Sequence, residues 1–100
     1  MNVYEALAEP HRRQIIELVG AGERSAGEIV EALAISQPGV SKHLRVLREA
    51  GLVSVRKDAQ RRVYRLEPQK LAELDAWLAP YRRFWANKID ALVDHLMQES

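Results

Sequence analysis

Cysteine is absent from the 100 residues, and with it go disulfides, thiolate metal sites, iron–sulfur clusters and a cysteine nucleophile. Three scattered histidines are left as the only soft ligands. Glycine and proline are sparse, at 5 and 4 residues, which excludes collagen-like repeats and low-complexity linkers. No apolar run approaches the roughly 18 residues that a membrane span needs. The start Met1-Asn2-Val3-Tyr4-Glu5 lacks the basic-then-apolar layout of a secretory signal, so a cytoplasmic protein without membrane association is expected. The remaining composition, 47% hydrophobic and 29% charged, is that of a chain that folds. Its length supports one core, so residues 1–100 are expected to form one domain.

Charge of one sign is also missing overall, with a formal net charge of +1, but the average hides a division along the chain. Residues 36–65 carry Lys42, Arg45, Arg48, Arg56, Lys57, Arg61, Arg62 and Arg65 against Glu49 and Asp58, a local net of +6. Residues 1–35 carry three arginines against six glutamates (−3), and residues 66–100 carry four cations against six carboxylates (−2). A basic segment between acidic flanks is an electrostatic footprint for a polyanion that the whole-chain charge conceals.

Periodicity and punctuation then give the elements. A short helix over 3–8 precedes Pro10, which suits the first turn of a second helix carrying Ile15, Ile16, Leu18 and Val19 up to Gly20 and Gly22. Ser25-Ala26-Gly27-Glu28 has capping-box spacing and opens a third helix with Ile29 and Leu33 inward. Ser36 is the next N-cap, Pro38 fits its first turn, and Val40, Leu44 and Leu47 recur at helical spacing until Gly51. Residues 52–57 and 61–66 turn to β-branched, aromatic and arginine residues, with Asp58-Ala59-Gln60 between them, and predict a hairpin. From Pro68 to about residue 98, Leu71, Leu74, Leu78, Tyr81, Trp85, Ile89, Leu92 and Leu96 step by three and four; Pro80 inside this tract is expected to kink or split it. The order is a mostly α winged helix-turn-helix, with a recognition helix over about 36–50, a wing over about 52–66 and a long C-terminal dimerisation helix.

The side chains of these elements suit duplex DNA. The helix from Ser36 carries Gln37, Ser41, Arg45 and Arg48 along one stripe, with Lys42 and His43 beside it and the apolar stripe opposite. Amide, hydroxyl and guanidinium groups on such a helix read base edges and phosphates, and its first N–H groups attract a phosphate. The alternative for any charged stripe is a merely solvated face. Arg56, Lys57, Arg61 and Arg62 crowd the hairpin tip, either to meet phosphate or to protect an edge strand. No Gly-rich phosphate loop, paired-carboxylate geometry or Ser-His-Asp order is present, so no enzyme is expected. No cofactor or metal site is expected either: His11 reads as a partly exposed helix residue, His43 as a DNA contact and His95 as solvated.

Residues 5–20, EALAEPHRRQIIELVG, followed in order by SAGEIVEAL, SQPGVSKHLRVLREAGLV and RRVYRL, resemble the ArsR-type bacterial transcriptional repressors. The resemblance is strong over about residues 3–66, and the tract LDAWLAPYRRFW is similar to a subgroup without metal ligands. It implies a homodimer on an operator of two inverted half-sites, repressing transcription, commonly of its own operon. Gln37, Ser41, Lys42 and His43 match positions where the recognition helix of the family meets DNA, and Arg61 and Arg62 match its wing. Ser25 and Gly27 stand where metal-sensing relatives carry a Cys-x-Cys pair. Asp75 is followed two residues later by Trp77 rather than His, and His95 has no suitably spaced second His. Ala59 stands where relatives often have Gly at the wing tip, so a looser or longer wing loop than a two-residue turn is expected. Whether a small-molecule inducer exists is left open.

The C-terminal tract concentrates aromatics: Trp77, Tyr81, Phe84 and Trp85 are four of the six in the chain. Surplus apolar surface of this kind calls for a partner, most simply a second copy by two-fold symmetry. Val3, Tyr4 and Leu7 are expected to join Trp77, Leu78, Tyr81, Trp85, Ile89 and Leu92 in that interface. The alternatives are packing of the strip on its own domain and an aromatic ligand pocket beside Pro80. For the whole protein, the competing function is a winged-helix interaction module whose basic segment meets an acidic partner.

Overall fold

The structure is a computed structural model and describes residues 1–99. Each of the first four helices begins where a side chain satisfies an otherwise unpaired amide. Asn2 accepts from the Glu5 amide at 2.8 Å and starts α1 (Val3–Leu7). Glu9 accepts from the Arg12 amide at 3.0 Å and starts α2 (Pro10–Ala21). Ser25 and Glu28 form the reciprocal capping box of α3 (Ala26–Ala32), and the Ser36 hydroxyl accepts from the Gly39 amide to open α4 (Gln37–Glu49).

The end of α4 is fixed by Gly51. Its φ of 78° is left-handed backbone, which glycine adopts without a Cβ penalty. That turn lets the Gly51 amide donate to the Arg48 carbonyl and the Leu52 amide donate to the Leu47 carbonyl, both at 3.0 Å. Leu47 and Leu52, brought together across it, are both fully buried. The chain leaves at an angle that feeds the hairpin β2 (Val53–Asp58) and β3 (Arg61–Leu66). A third strand that sequence periodicity missed, β1 (Arg24–Ser25), pairs antiparallel with β3, giving the order β1-β3-β2. Two residues are too few to show a period, and Ser25 already reads as a helix cap. The core gathers Val3 and Ala6 from α1, Ile15 and Val19 from α2, Ile29 from α3, Val40, Leu44 and Leu47 from α4, and Leu52, Val53 and Tyr64 from the sheet.

One expectation is corrected here. The wing loop is not longer than usual: Asp58 pairs with Arg61, leaving only Ala59 and Gln60 in the turn, with Ala59 at φ 58°. Alternation of side chains on both strands fixes the register, and the tight turn is imposed on Ala59 by it. Positive φ at the first central residue alone is the type II′ pattern, in which glycine is preferred there. Ala59→Gly is therefore expected to stabilise the fold by about 0.5–1 kcal/mol. A higher urea midpoint checks this, and an unchanged or lower midpoint counts against it.

Of the two outcomes expected for Pro80, a kink or a split, the split is excluded. After a 3-10 turn at Pro68–Lys70, α5 runs unbroken from Leu71 to Glu99 with Pro80 inside it. Proline removes one ladder bond, and long helical stretches on both sides carry the element across it. Only the first turns of α5 lie on the domain. Leu71 packs against the core, Leu74, Leu78 and Ala79 are half-buried, and every side chain from Pro80 to Gln98 is exposed. The projecting helix makes the molecule 63 × 25 × 21 Å. Despite its length, no helix among the described residues is long and apolar enough to cross a membrane.

Candidate nucleic-acid interface

The hairpin register decides where the wing cations point. Residues opposite each other in an antiparallel pair share a face, so Lys57 and Arg62 lie with Val55 and Tyr64, whereas Arg56, Asp58 and Arg61 lie with Val63 on the other face. The first of these faces turns toward α4. Gln37, Ser41, Arg45 and Arg48 from the helix and Arg62 and Tyr64 from β3 line one open groove of about 400 Å³. Arg48, Val55, Lys57 and Arg62 line a second hollow next to it, and Arg56 reaches it from the other face of the strand. Recognition helix and wing thus present one continuous surface.

Pairing of the cations follows the same division. On the far face, Arg56 meets Glu23 at 2.9 Å, Arg61 meets Glu28 at 3.2 Å, and Arg65 meets Glu67 at 3.1 Å. The Arg56 guanidinium holds Glu23 below the usual carboxylate range. Glu28 is held low first by the hydrogen bonds of Ser25 and then by Arg61. Among the described residues, Lys42, Arg45, Arg48, Lys57 and Arg62 have no acidic partner within ion-pair distance. Of the eight cations in the basic segment, three are neutralised by the scaffold, and the five without partners are those on α4 and the adjoining face of the wing. A surface that keeps its charges uncompensated is suited to a polyanion.

The structure separates the residues that sequence had grouped. Gln37, Ser41, Lys42, Arg45 and Arg48 are exposed on α4, and Ser36 is exposed at its start, with its hydroxyl oxygen used as the cap. Arg62 joins them, while Arg61 faces Glu28. His43 is a correction: it turns away from the exposed stripe, toward α2. Its side chain is 17% exposed, its Nε2 lies 3.7 Å from Glu9 Oε2, its Nδ1 lies 3.4 Å from Arg12 Nη1, and its ring stacks on His11 with centroids 5.7 Å apart. Burial lowers its pKa from the ordinary value, with Glu9 opposing and Arg12, His11 and Lys42 reinforcing the shift. Tyr64, which sequence analysis assigned only to the strand, forms part of the groove wall.

The proposed interface residues also divide. Val3 is spent in the core at 3% exposure, because α1 needs an inward anchor to lie on the domain, so it leaves the set. Leu7 and Leu78 are half-buried against their own domain. Tyr4, Trp77 and Tyr81 form an aromatic ladder with centroid separations of 6.4 and 5.1 Å. Beyond it Trp85, Ile89 and Leu92 are exposed, along with Phe84, Val93, Leu96 and Met97. Their three- and four-residue steps put them in one broad stripe. From Phe84 onward the strip does not pack on its own domain.

Known proteins share the sequence pattern and the fold. A family profile described as a helix-turn-helix domain matches residues 7–56. The HTH-type transcriptional regulator Rv2034 of Mycobacterium tuberculosis is 42% identical over 86 residues, covering 86% of this chain and 78% of that protein. The chain belongs to the ArsR-type winged helix-turn-helix repressors. The transcriptional repressor SdpR of Bacillus subtilis is 35% identical over 77 residues, 77% of this chain and 86% of its own. A crystal structure described as a possible transcriptional regulator for arsenical resistance superposes with a TM-score of 0.70 at 44% identity, covering 89% of this chain and 90% of that one. As a member of this family the protein is a DNA-binding regulator of transcription rather than an enzyme.

Proposed function

We propose that this ArsR-type protein is a homodimeric repressor that binds an inverted-repeat operator, with α4 in the major groove and the wing on the flanking backbone. The observation that carries this is the set of five uncompensated cations shared by α4 and one face of the wing. Gln37, Ser41 and Arg45 lie on the N-terminal two-thirds of the helix, where base edges are read. Lys42, Arg48, Lys57 and Arg62 take phosphates, and the first amides of α4, next to Ser36, take another. The unpacked strip of α5, with Tyr4, supports a two-fold interface between copies. Ten large apolar side chains, counting Tyr4, are each 44–70% exposed here in the single chain, and contiguous exposed apolar surface marks an interaction site.

Binding to a palindromic duplex is expected to involve two chains per duplex and to fall steeply with salt, because each neutralised phosphate releases a counterion. No affinity for duplex DNA at about 50 mM salt sinks the reading. Gln37→Ala and Arg45→Ala are each expected to cost about 1–3 kcal/mol on the preferred sequence and little on random DNA. Arg62→Ala is expected to weaken all sequences alike and to lower the salt slope by about 1. Arg61→Ala, removing a cation already paired with Glu28, is expected to do much less. Equal losses for Arg61→Ala and Arg62→Ala count against the division of the wing faces.

A further inference from the structure

His43 and the start of α2 form a cluster that DNA binding does not use. Glu9, His11 and His43 bring one carboxylate oxygen and two ring nitrogens to within 4.8 Å of one another. His11 Nδ1 lies 2.9 Å from Glu9 Oε1, and His43 Nε2 lies 3.7 Å from Glu9 Oε2. Three ligand atoms around a tetrahedral zinc ion, each about 2.0–2.2 Å from the metal, stand about 3.3–3.5 Å apart. The His11–Glu9 spacing is shorter than that value and the His43–Glu9 spacing, to the other carboxylate oxygen, is slightly longer, so closing on one ion takes movement of the side chains, Glu9 included. In the structure as it stands, a hydrogen bond joins His11 Nδ1 to Glu9 Oε1, and a cation can take the place of its proton.

We propose that Glu9, His11 and His43 form a binding site for a divalent cation of the zinc class, joining the N-terminus of α2 to the recognition helix. Two imidazoles and a carboxylate are a donor set suited to zinc, and three protein ligands leave a fourth position for water. The carboxylate can ligate through Oε1 while Oε2 goes on capping the Arg12 amide. Metal on His43 Nε2 places the ring proton on Nδ1, so the long contact from Arg12 is given up. The Arg12 guanidinium keeps the Ala6 carbonyl, to which its Nε donates at 2.6 Å, and the Glu5 carbonyl at 3.2 Å. Its charge, close to the site, lowers affinity without removing a ligand. Burial favours the neutral form of His43, as ligation requires. Desolvation is the largest single influence on Glu9 and opposes its charge, but the Arg12 amide and the two imidazoles together overcome it and lower its pKa. The site shares no residue with the Cys-x-Cys and Asp-x-His patterns whose absence the sequence shows.

The test is titration of the whole protein with zinc by calorimetry and with cobalt by visible absorption. One ion per chain is expected, with the visible bands of four-coordinate cobalt and a raised melting temperature in zinc. His11→Ala, at a side chain 42% exposed and so safe for folding, is expected to weaken binding by about tenfold or more. Glu9→Gln and His43→Gln are expected to do the same, and His95→Ala is expected to change nothing. Absence of stoichiometric binding at micromolar free zinc overturns the site. So does binding that survives His11→Ala, or that is lost equally in His95→Ala.

Discussion

Trp85→Glu is expected to turn the protein into a monomer and to cut its affinity for an inverted-repeat duplex by about 10²–10⁴-fold. Trp85 is 53% exposed in the single chain and lies in the middle of the apolar stripe of α5. In the proposed two-fold pairing of these stripes, Trp85 is buried among apolar side chains of the other copy. A carboxylate there must be desolvated without a counter-charge, and loses the aromatic contact as well. A monomer then holds only one half-site, and the avidity of two linked binding events disappears. The domain itself does not depend on Trp85, because no described side chain from Pro80 to Gln98 is buried in the chain. Sedimentation equilibrium with a gel-shift titration checks both parts. A variant that remains dimeric shows that the strip is not the interface; one that becomes monomeric without losing affinity shows that the operator is read by one chain.

The largest effect on stability is expected from Leu47→Ala, at about 2–5 kcal/mol. Leu47 is fully buried, as is Leu52 across the Gly51 turn. Truncation leaves a cavity between the recognition helix and the start of the wing, two elements that can collapse onto it only by giving up the turn. Against a total of roughly 5–15 kcal/mol for a domain of this size, that loss takes a large share of the folded population. DNA binding is lost with it, since α4 and β2 are positioned by that packing. Leu96→Ala, at a residue 56% exposed in the single chain, is the control: it is expected to leave the stability of the monomer nearly unchanged. Equal urea midpoints for the two variants contradict the assignment of the core.

The helices and the wing were legible because each carries a signal of its own. Ser25 with Glu28, Ser36 with Pro38, and Gly51 mark starts and stops through chemistry that acts within four residues. Val40, Leu44 and Leu47 show the buried face directly. What escaped was set by distant pairing. The two residues of β1 make sense only beside Val63 and Tyr64. The tight turn at Ala59 follows from strand register rather than from the preference of alanine. Arg61 and Arg62, neighbours in sequence and equal in composition, point to opposite faces, and only the register with Asp58 and Lys57 says which meets Glu28. His43 sits in the sequence among residues proposed to meet DNA, yet its position on the helix carries it back onto Glu9 and His11, more than thirty residues away. Val3 shows the converse: an apolar residue on a short terminal helix is as available to the core as to a partner, and sequence does not choose.

The division between paired and unpaired cations, and the two-fold reading built on it, are tested most directly by selecting bound duplexes from a random library with the intact protein. The account predicts enrichment of an inverted repeat whose half-sites are centred about one helical turn, roughly 10 base pairs, or a multiple of it apart. It also predicts that Gln37→Ala and Arg45→Ala change the selected bases while Arg62→Ala does not. A library that emerges unenriched, or enriched in a single unrepeated site that all three variants select alike, contradicts it.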